Sequence, residues 1–311
     1  MGGVSDPSHP ASGARRRSGR RLRILGACTV LAALAGYFAV QYDSTGGSGA
    51  PHCTVRADGG GSGEGSEYEM SPEQAGHAAT IAAVGAAKGM PERAVTIALA
   101  TAMQESGLRN LDHGDRDSLG LFQQRPSQGW GTPAQIRDPV YSAGIFYDRL
   151  AEVRGYARLP LTVAAQKVQL SGFPQAYAKH EPDAALLSAA LTGRTPAALS
   201  CAGPVPQEAG DAARVRKELV RAFGAGGRTA GRTGSAGAAG PQVADRELAV
   251  PVPDLKRGWE RAHWAVANAA RLDIAEVAYD GKTWRAGQHG GRWRASTADR
   301  DRVSVTVAER R

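Results

Sequence analysis

The chain has 311 residues, of which 42% are hydrophobic and 6% aromatic, and it carries a formal net charge of +8. Its length allows one or two folded units, and its apolar content excludes disorder throughout. The positive charge lies near the two ends, whereas the middle of the chain is mildly acidic. A nucleic-acid-binding protein concentrates positive charge on its folded unit, so the charge pattern argues against nucleic acid as a partner.

A basic segment and a long apolar segment begin the chain. Residues 1–23 are rich in arginine, and residues 24–40 contain no charged side chain. This pattern predicts a membrane contact through residues 24–40, with a transmembrane anchor over 24–41. The arginines predict a cytoplasmic tail at 1–23 and an extracytoplasmic location for the rest of the chain, at the cell membrane. A cleaved signal sequence, which would release a secreted protein, is the alternative.

Two cysteines flank the part of the chain with the clearest helical pattern. Residues 42–70 are rich in Gly and Ser and are interpreted as a flexible linker. Cys53 lies in this linker and Cys201 lies at the end of the helical part. An exported protein meets an oxidising compartment, so a disulfide between Cys53 and Cys201 is predicted. Free or intermolecular thiols are the alternative.

Capping residues mark the start of a helical unit over residues 71–201. Ser71 and Gln74 form a capping-box pattern with Pro72 in the first helical position, and Pro91 opens a second helix. Further helical spacing follows, and no convincing alternation of apolar and polar residues is found in this range. The unit is therefore predicted to be all-α.

The last third of the chain is interpreted as a second linker and a small module. Residues 202–256 are rich in Gly, Ala and Pro, with room for a short helix over Ala209–Phe223. Residues 257–309 predict a small α+β module with a tight turn at Asp280-Gly281. Its tryptophans are more typical of a core than of a ligand platform, and its basic surroundings suit anionic wall polymers.

Glu105 is the candidate for acid–base chemistry. It lies in the last turn of the second predicted helix, above the apolar or small residues Ala98 and Ala102 on the same face. Desolvation and the negative end of the helix dipole both favour a carboxyl group that keeps its proton. A general acid that acts at neutral pH needs this property.

Several motifs follow Glu105 in a definite order. They are Glu105-Ser106, the run Ser118–Gln123 (SLGLFQ), the segment Tyr141–Tyr147, and Ala164-Ala165-Gln166. In this order and spacing they resemble the lysozyme-like superfamily, specifically the soluble lytic transglycosylase group in an actinobacterial envelope form. The resemblance covers residues 71–201 and implies an all-α lysozyme-like catalytic domain.

The resemblance also implies a substrate and site residues. Glu105 matches the general acid that protonates the glycosidic oxygen between N-acetylmuramic acid and N-acetylglucosamine in peptidoglycan glycan strands, and the product is a 1,6-anhydro sugar. No cofactor and no metal is expected. Trp130 either stacks on a sugar ring or anchors a loop, and Tyr147 is expected in the core more than on substrate. The predicted substrate-binding set is Ser118, Gly120, Gln123, Gln124, Trp130 and Tyr147.

One departure from the group leaves two functions open. The tyrosine that usually bonds the catalytic glutamate is absent from the helix at Lys167–Gly172, and Gln169 and Tyr177 are both candidates to replace it. The absence favours a catalytically inactive scaffold that binds peptidoglycan, whereas the intact Glu-Ser pair favours an enzyme. Some relatives with this signature carry a heavy-metal-transport label, against which the single predicted membrane span and the absence of a CxxC motif argue.

Overall fold

Two helices begin and end where their capping residues predict. The computed structural model describes residues 2–3, 50–57, 66–224 and 240–310. Helix α1 covers Pro72–Ala87, and its N-cap Ser71 exchanges hydrogen bonds with Gln74 in a capping box. Helix α2 covers Glu92–Ser106 behind Pro91 and ends at Gly107, which adopts a left-handed conformation. Glu105 therefore lies in the last turn of α2, as predicted.

The described chain contains seven more α-helices and four short 3-10 segments. The helices are α3 (Pro133–Ile136), α4 (Pro139–Glu152), α5 (Leu161–Gln169), α6 (Glu181–Leu191), α7 (Ala212–Phe223), α8 (Leu255–Ala267) and α9 (Ala269–Leu272). The 3-10 segments are Pro126–Gln128, Tyr156–Arg158, Pro174–His180 and His289–Gly291. Helix α2 packs against α6 and is buried along most of its length, which puts it at the centre of the helical part.

A three-stranded antiparallel sheet flanks the helices. It contains β1 (His52–Arg56), β2 (Glu67–Met70) and β3 (Leu199–Ala202) in the order β2-β1-β3. Cys53 and Cys201 lie opposite each other on β1 and β3 and are joined by a disulfide that spans 148 residues of sequence. The predicted pairing of these cysteines is confirmed.

A second, six-stranded antiparallel sheet is built by the C-terminal part of the chain. Its strands are β4 (Gln242–Ala244), β5 (Glu247–Pro251), β6 (Ile274–Tyr279), β7 (Lys282–Arg285), β8 (Arg294–Ala295) and β9 (Arg302–Val307), in the order β4-β5-β9-β6-β7-β8. The turn between β6 and β7 has Asp280 and Gly281 at φ 46° and 68°, the geometry expected of a two-residue hairpin. The last strand of the chain thus lies in the interior of this sheet.

The predicted fold class, an all-α domain with a transmembrane helix and a separate small module, is wrong. The described chain is mixed α/β with two sheets, and no helix among its described residues is long and apolar enough to cross a membrane. The predicted segments 1–23 and 24–41 lie outside the described residues, apart from residues 2–3. Three successive residues of β1 are buried, namely Cys53, Thr54 and Val55, so this strand lacks the alternation that identifies strands in sequence.

The regions interpreted as linkers contain regular structure. Strands β1 and β2 lie within 42–70, and α7, β4 and β5 lie within 202–256. Helix α7 buries one face, with Val215, Leu219 and Phe223 among its buried residues. Short strands and a single amphipathic helix carry little composition signal against a background rich in glycine and alanine.

The C-terminal part docks on the helical part rather than standing apart. Residues Ala50–Arg311 cluster into one unit. The indole N–H groups of Trp284 and Trp293 donate hydrogen bonds to the carbonyls of Cys201 and Leu199 on β3, at 3.2 and 2.9 Å. The imidazole of His263, which is fully buried, makes a 2.8 Å hydrogen bond through Nδ1 with the carbonyl of Ala190. These tryptophans act as internal anchors, in agreement with the core role predicted for them.

Candidate active site

Glu105 is a half-buried carboxyl group whose surroundings favour its protonated form. Burial raises the pKa of Glu105 above its ordinary value of 4.5, and hydrogen bonds from Tyr177 and Gln169 lower it in part. The partners are neutral, so no cation compensates the cost of a buried negative charge. This is the electrostatic condition that a general acid requires.

Tyr177 supplies the phenol that the expected helix lacks. It lies in the 3-10 segment Pro174–His180, and its hydroxyl donates a 2.6 Å hydrogen bond to Oε1 of Glu105. The side chain is fully buried, and burial, together with the bond to Glu105, raises the pKa of Tyr177 above its ordinary range. Tyr177 therefore remains a hydrogen-bond donor at any physiological pH. A second tyrosine position on a different element thus replaces the missing one.

Gln169 connects Glu105 to the neighbouring turn. As the last residue of α5, it donates from Nε2 to the carbonyl of Phe122 at 2.7 Å and lies within hydrogen-bonding reach of Glu105. Its Oε1 is buried and has no partner within the described part of the protein. Of the two residues between which the sequence left a choice, Tyr177 makes the 2.6 Å hydrogen bond to the acid and Gln169 lies beside it.

The turn at Gly120–Gln123 is fastened to the helix end that carries Glu105. The hydroxyl of Ser106 donates to the carbonyl of Leu121 at 2.8 Å, so Ser106 attaches the turn to the helix end next to Glu105. Gly120 adopts φ +76°, and a Cβ there would lie 2.7 Å from the backbone oxygen of Ile136. The fold itself therefore requires glycine at this position, which the resemblance had placed in the substrate-binding set.

The side chain of Gln123, a predicted sugar-binding residue, turns back onto its own loop. Gln123, at φ +46°, donates from Nε2 towards the carbonyls of His113 and Gly120, both at 3.3 Å. In this conformation Gln123 braces the loop that precedes the turn. Ser118, another predicted sugar-binding residue, is buried.

Three further predicted binding residues are buried away from any open surface. Gln124 donates to the carbonyl of Ser142 at 3.0 Å, and Tyr147 donates from its hydroxyl to the carbonyl of Ile81 at 3.0 Å. Trp130 is buried, with the guanidinium carbon of Arg149 only 3.5 Å from its ring centroid. Trp130 therefore anchors a loop, which decides the choice that the sequence left open. None of these three side chains presents a face to a sugar.

Two aspartates of the loop before the turn, Asp112 and Asp117, are paired with neighbouring side chains. Asp117 accepts hydrogen bonds from Arg125 and from the backbone and hydroxyl of Ser127, and these contacts hold the pKa of Asp117 well below its usual range. Asp112 pairs with His113 at 2.8 Å, and this hydrogen bond lowers the pKa of Asp112. Both side chains are therefore held by neighbouring residues, and Asp112 is also exposed to water.

Two cavities lie in other parts of the molecule. One of about 440 Å³ lies between α1, α7 and α8, where His77, Arg221 and Trp264 contribute to its wall. The other, of about 170 Å³, is lined mainly by proline, alanine and other small residues near β3. Glu105 lines neither of them.

Comparison with known proteins does not extend the resemblance. No protein-family model matches the chain, and no curated protein matches it. The functional assignment therefore depends on the motifs around Glu105 and on the contacts just described.

Proposed function

We propose that the protein is a peptidoglycan lytic transglycosylase that cleaves the bond between N-acetylmuramic acid and N-acetylglucosamine, with Glu105 as its single catalytic acid. The observation that carries the proposal is the 2.6 Å hydrogen bond from Tyr177 to a half-buried Glu105 whose pKa is raised by burial. A residue that only needed to be tolerated at a helix end would be solvated. Here a neutral phenol donates to Oε1 of the carboxyl group.

The contacts support a separate role for each oxygen of the Glu105 carboxyl group in the proposed reaction. Tyr177 bonds Oε1, so the acid proton is carried on Oε2, which gives it to the glycosidic oxygen as the bond to C1 breaks. The carboxylate that forms is stabilised by the hydrogen bonds from Tyr177 and Gln169. In the transglycosylase reaction the same carboxylate then accepts the proton of the substrate's 6-hydroxyl as that oxygen attacks C1. Proton and bonds balance without an added water.

The proposal includes an extracytoplasmic location. Peptidoglycan lies outside the cytoplasmic membrane, and a structural disulfide such as Cys53–Cys201 persists in oxidising compartments. The basic and apolar residues that begin the chain are proposed to direct export.

The experiment compares wild type with Glu105→Gln on purified peptidoglycan, with the released fragments measured by mass spectrometry. Gln keeps the size of Glu but has no proton to transfer, so cleavage should fall by about 10²- to 10⁴-fold, which corresponds to roughly 3–5 kcal/mol of barrier. Glu152→Gln is the matched control, because Glu152 also ends a helix but is exposed. It should leave the rate unchanged.

The products distinguish the competing functions. Anhydro-sugar ends from wild type alone support a transglycosylase. Hydrated reducing ends would identify a hydrolase that uses a protein-activated water. Binding of glycan without any cleavage by wild type would contradict the proposal and favour a peptidoglycan-binding scaffold.

A further inference from the structure

Two large apolar side chains stand exposed beside the candidate active site. Leu170 is 81% exposed and Phe173 is 77% exposed. Phe173 is the one aromatic residue among the exposed large hydrophobic residues of the described chain. Solvent exposure of an isolated leucine is common, but an aromatic ring left this open next to a functional group calls for an explanation.

The loop that carries them is attached to Glu105 at both ends. Gln169 precedes the loop and Tyr177 follows it, and both lie within hydrogen-bonding reach of the Glu105 carboxyl group. Phe173 is the midpoint, four residues from each. Four residues span at most about 13 Å even when fully extended, so the backbone of Phe173 lies within that distance of both Gln169 and Tyr177.

The loop is also built to keep Phe173 directed outward. Leu170 adopts φ +53°, which ends α5 abruptly. The side chain of Gln166 donates to the carbonyl of Ser171 at 2.8 Å, and the hydroxyl of Ser171 accepts from the backbone N–H of Phe173 at 3.1 Å. These bonds hold the backbone around Phe173 in place while its ring contacts solvent.

We propose that Phe173, with Leu170 beside it, is a platform on which a pyranose ring of the glycan strand stacks, next to the bond that Glu105 cleaves. This inference depends on the proposed function and identifies a substrate-binding residue absent from the motif-based set. The faces of a pyranose ring carry C–H groups and are apolar, so they match an exposed aromatic face, whereas the ring's hydroxyls remain in water. Two side chains form too small a patch for a stable protein interface, and the patch lies between Gln169 and Tyr177 in the chain.

The binding experiment uses Glu105→Gln as the parent, so that the glycan is not consumed. The probe is a set of short uncrosslinked glycan strands released from purified peptidoglycan by amidase, and affinity is measured by calorimetry. Phe173→Ala should weaken binding about tenfold, and Phe173→Trp should retain the parent affinity within about threefold. Leu255→Ala is the matched control, because Leu255 is 48% exposed and lies on α8. It should bind as the parent does.

Kinetics in the active protein give an independent measurement. Phe173→Ala should raise KM with little change in kcat, because stacking contributes equally to ground state and transition state. The thermal unfolding midpoint should not change, since the side chain is exposed. Parent-like affinity in Phe173→Ala, or equal losses in Phe173→Ala and Leu255→Ala, would overturn the inference while leaving cleavage by Glu105 intact. If wild type cleaves no glycan and Phe173→Ala still weakens glycan binding, the result would support the stacking platform and contradict the proposed enzymatic activity.

Discussion

Two buried glutamates, Glu105 and Glu260, show opposite ways of holding a carboxyl group in this fold. Glu105 is half-buried at the end of α2 and contacts only neutral donors, Tyr177 and Gln169. Glu260, on α8, has a side chain only 3% exposed, and it accepts hydrogen bonds from Arg257 at 3.0 Å and Arg261 at 3.1 Å. Burial raises the pKa of both groups, but in Glu260 the two guanidinium charges oppose that rise.

The two kinds of partner lead to different expected effects of mutation at Glu105 and at Glu260. A carboxyl group held by cations is committed to an ion pair, and removing it leaves a buried positive charge. A carboxyl group held by neutral donors gains and loses a proton at little structural cost. We therefore expect changes around Glu260 and β3 to lower the free energy of unfolding, and changes around Glu105 to lower turnover.

The largest effect on stability is expected from the disulfide next to the Glu260 region. Replacing Cys53 and Cys201 together by Ser should lower the free energy of unfolding by about 4–5 kcal/mol in the chain-entropy model, because the loop is long. Turnover per folded molecule should remain within about twofold of wild type. Denaturant unfolding with and without reductant measures the first quantity. A large fall in the turnover of the fully folded double variant would show that the disulfide region and the Glu105 site are not independent.

Glu260→Ala is expected to cost about 3–5 kcal/mol of stability, because it leaves the buried guanidinium of Arg261 without its carboxylate. The matched control is Glu218→Ala, which removes a partly exposed pair with Arg271 at 3.4 Å and should cost less than about 1 kcal/mol. Both are measured by chemical denaturation. Equal losses in the two variants would contradict a special role for the Glu260 cluster.

Tyr177→Phe is expected to reduce turnover by about 10- to 100-fold, because it removes a hydrogen bond to the carboxylate worth roughly 1.5–3 kcal/mol. The bond lowers the pKa of Glu105, so its removal raises that pKa. A general acid must be protonated, and its rate falls as pH rises through its pKa. The basic limb of the pH profile should therefore move to higher pH in the variant. A shift to lower pH would contradict the assigned bond.

The smallest effect is expected from Glu105→Gln on stability. The pKa of Glu105 is raised in the folded protein, so its stabilising contribution is complete below its ordinary pKa of 4.5 and is lost as pH rises through the folded value. Glu105→Gln has no ionisable group at this position. Its free energy of unfolding should therefore increase relative to that of wild type as pH rises through the folded pKa of Glu105. Unfolding followed by denaturant at several pH values tests this. Loss of stability at neutral pH would assign Glu105 a structural role.

Local signals predicted the parts of the fold that depend on neighbouring residues. Ser71 with Gln74 marked the start of α1, Pro91 marked the start of α2, and Asp280-Gly281 marked the hairpin of β6 and β7. Each of these signals depends on residues at most a few positions apart, so it can be recognised from the sequence alone. The location of Glu105 in the last turn of α2 follows from the same signals.

Contacts between distant residues were predicted only in part. The pairing of Cys53 with Cys201 was predicted, whereas Tyr177, which meets Glu105 across 72 positions from a 3-10 segment, was one of two candidates. The core position of Tyr147 was expected, but the choice between a sugar platform and a loop anchor for Trp130 depends on its packing against Arg149. Strand β3 reads as a short run of small residues, and only its pairing with β1 reveals it as a strand.

The order of strands in the six-stranded sheet has a consequence for biosynthesis. Strand β9 ends at Val307, close to the end of the chain, yet it pairs with β5 on one side and β6 on the other. Because the ribosome makes the chain from its N-terminus, the sheet has a gap in its interior until β9 has been made. A chain that stops before Arg302 would present two unpaired strand edges instead of one continuous sheet. Pairing of all six strands thus waits for the synthesis of β9.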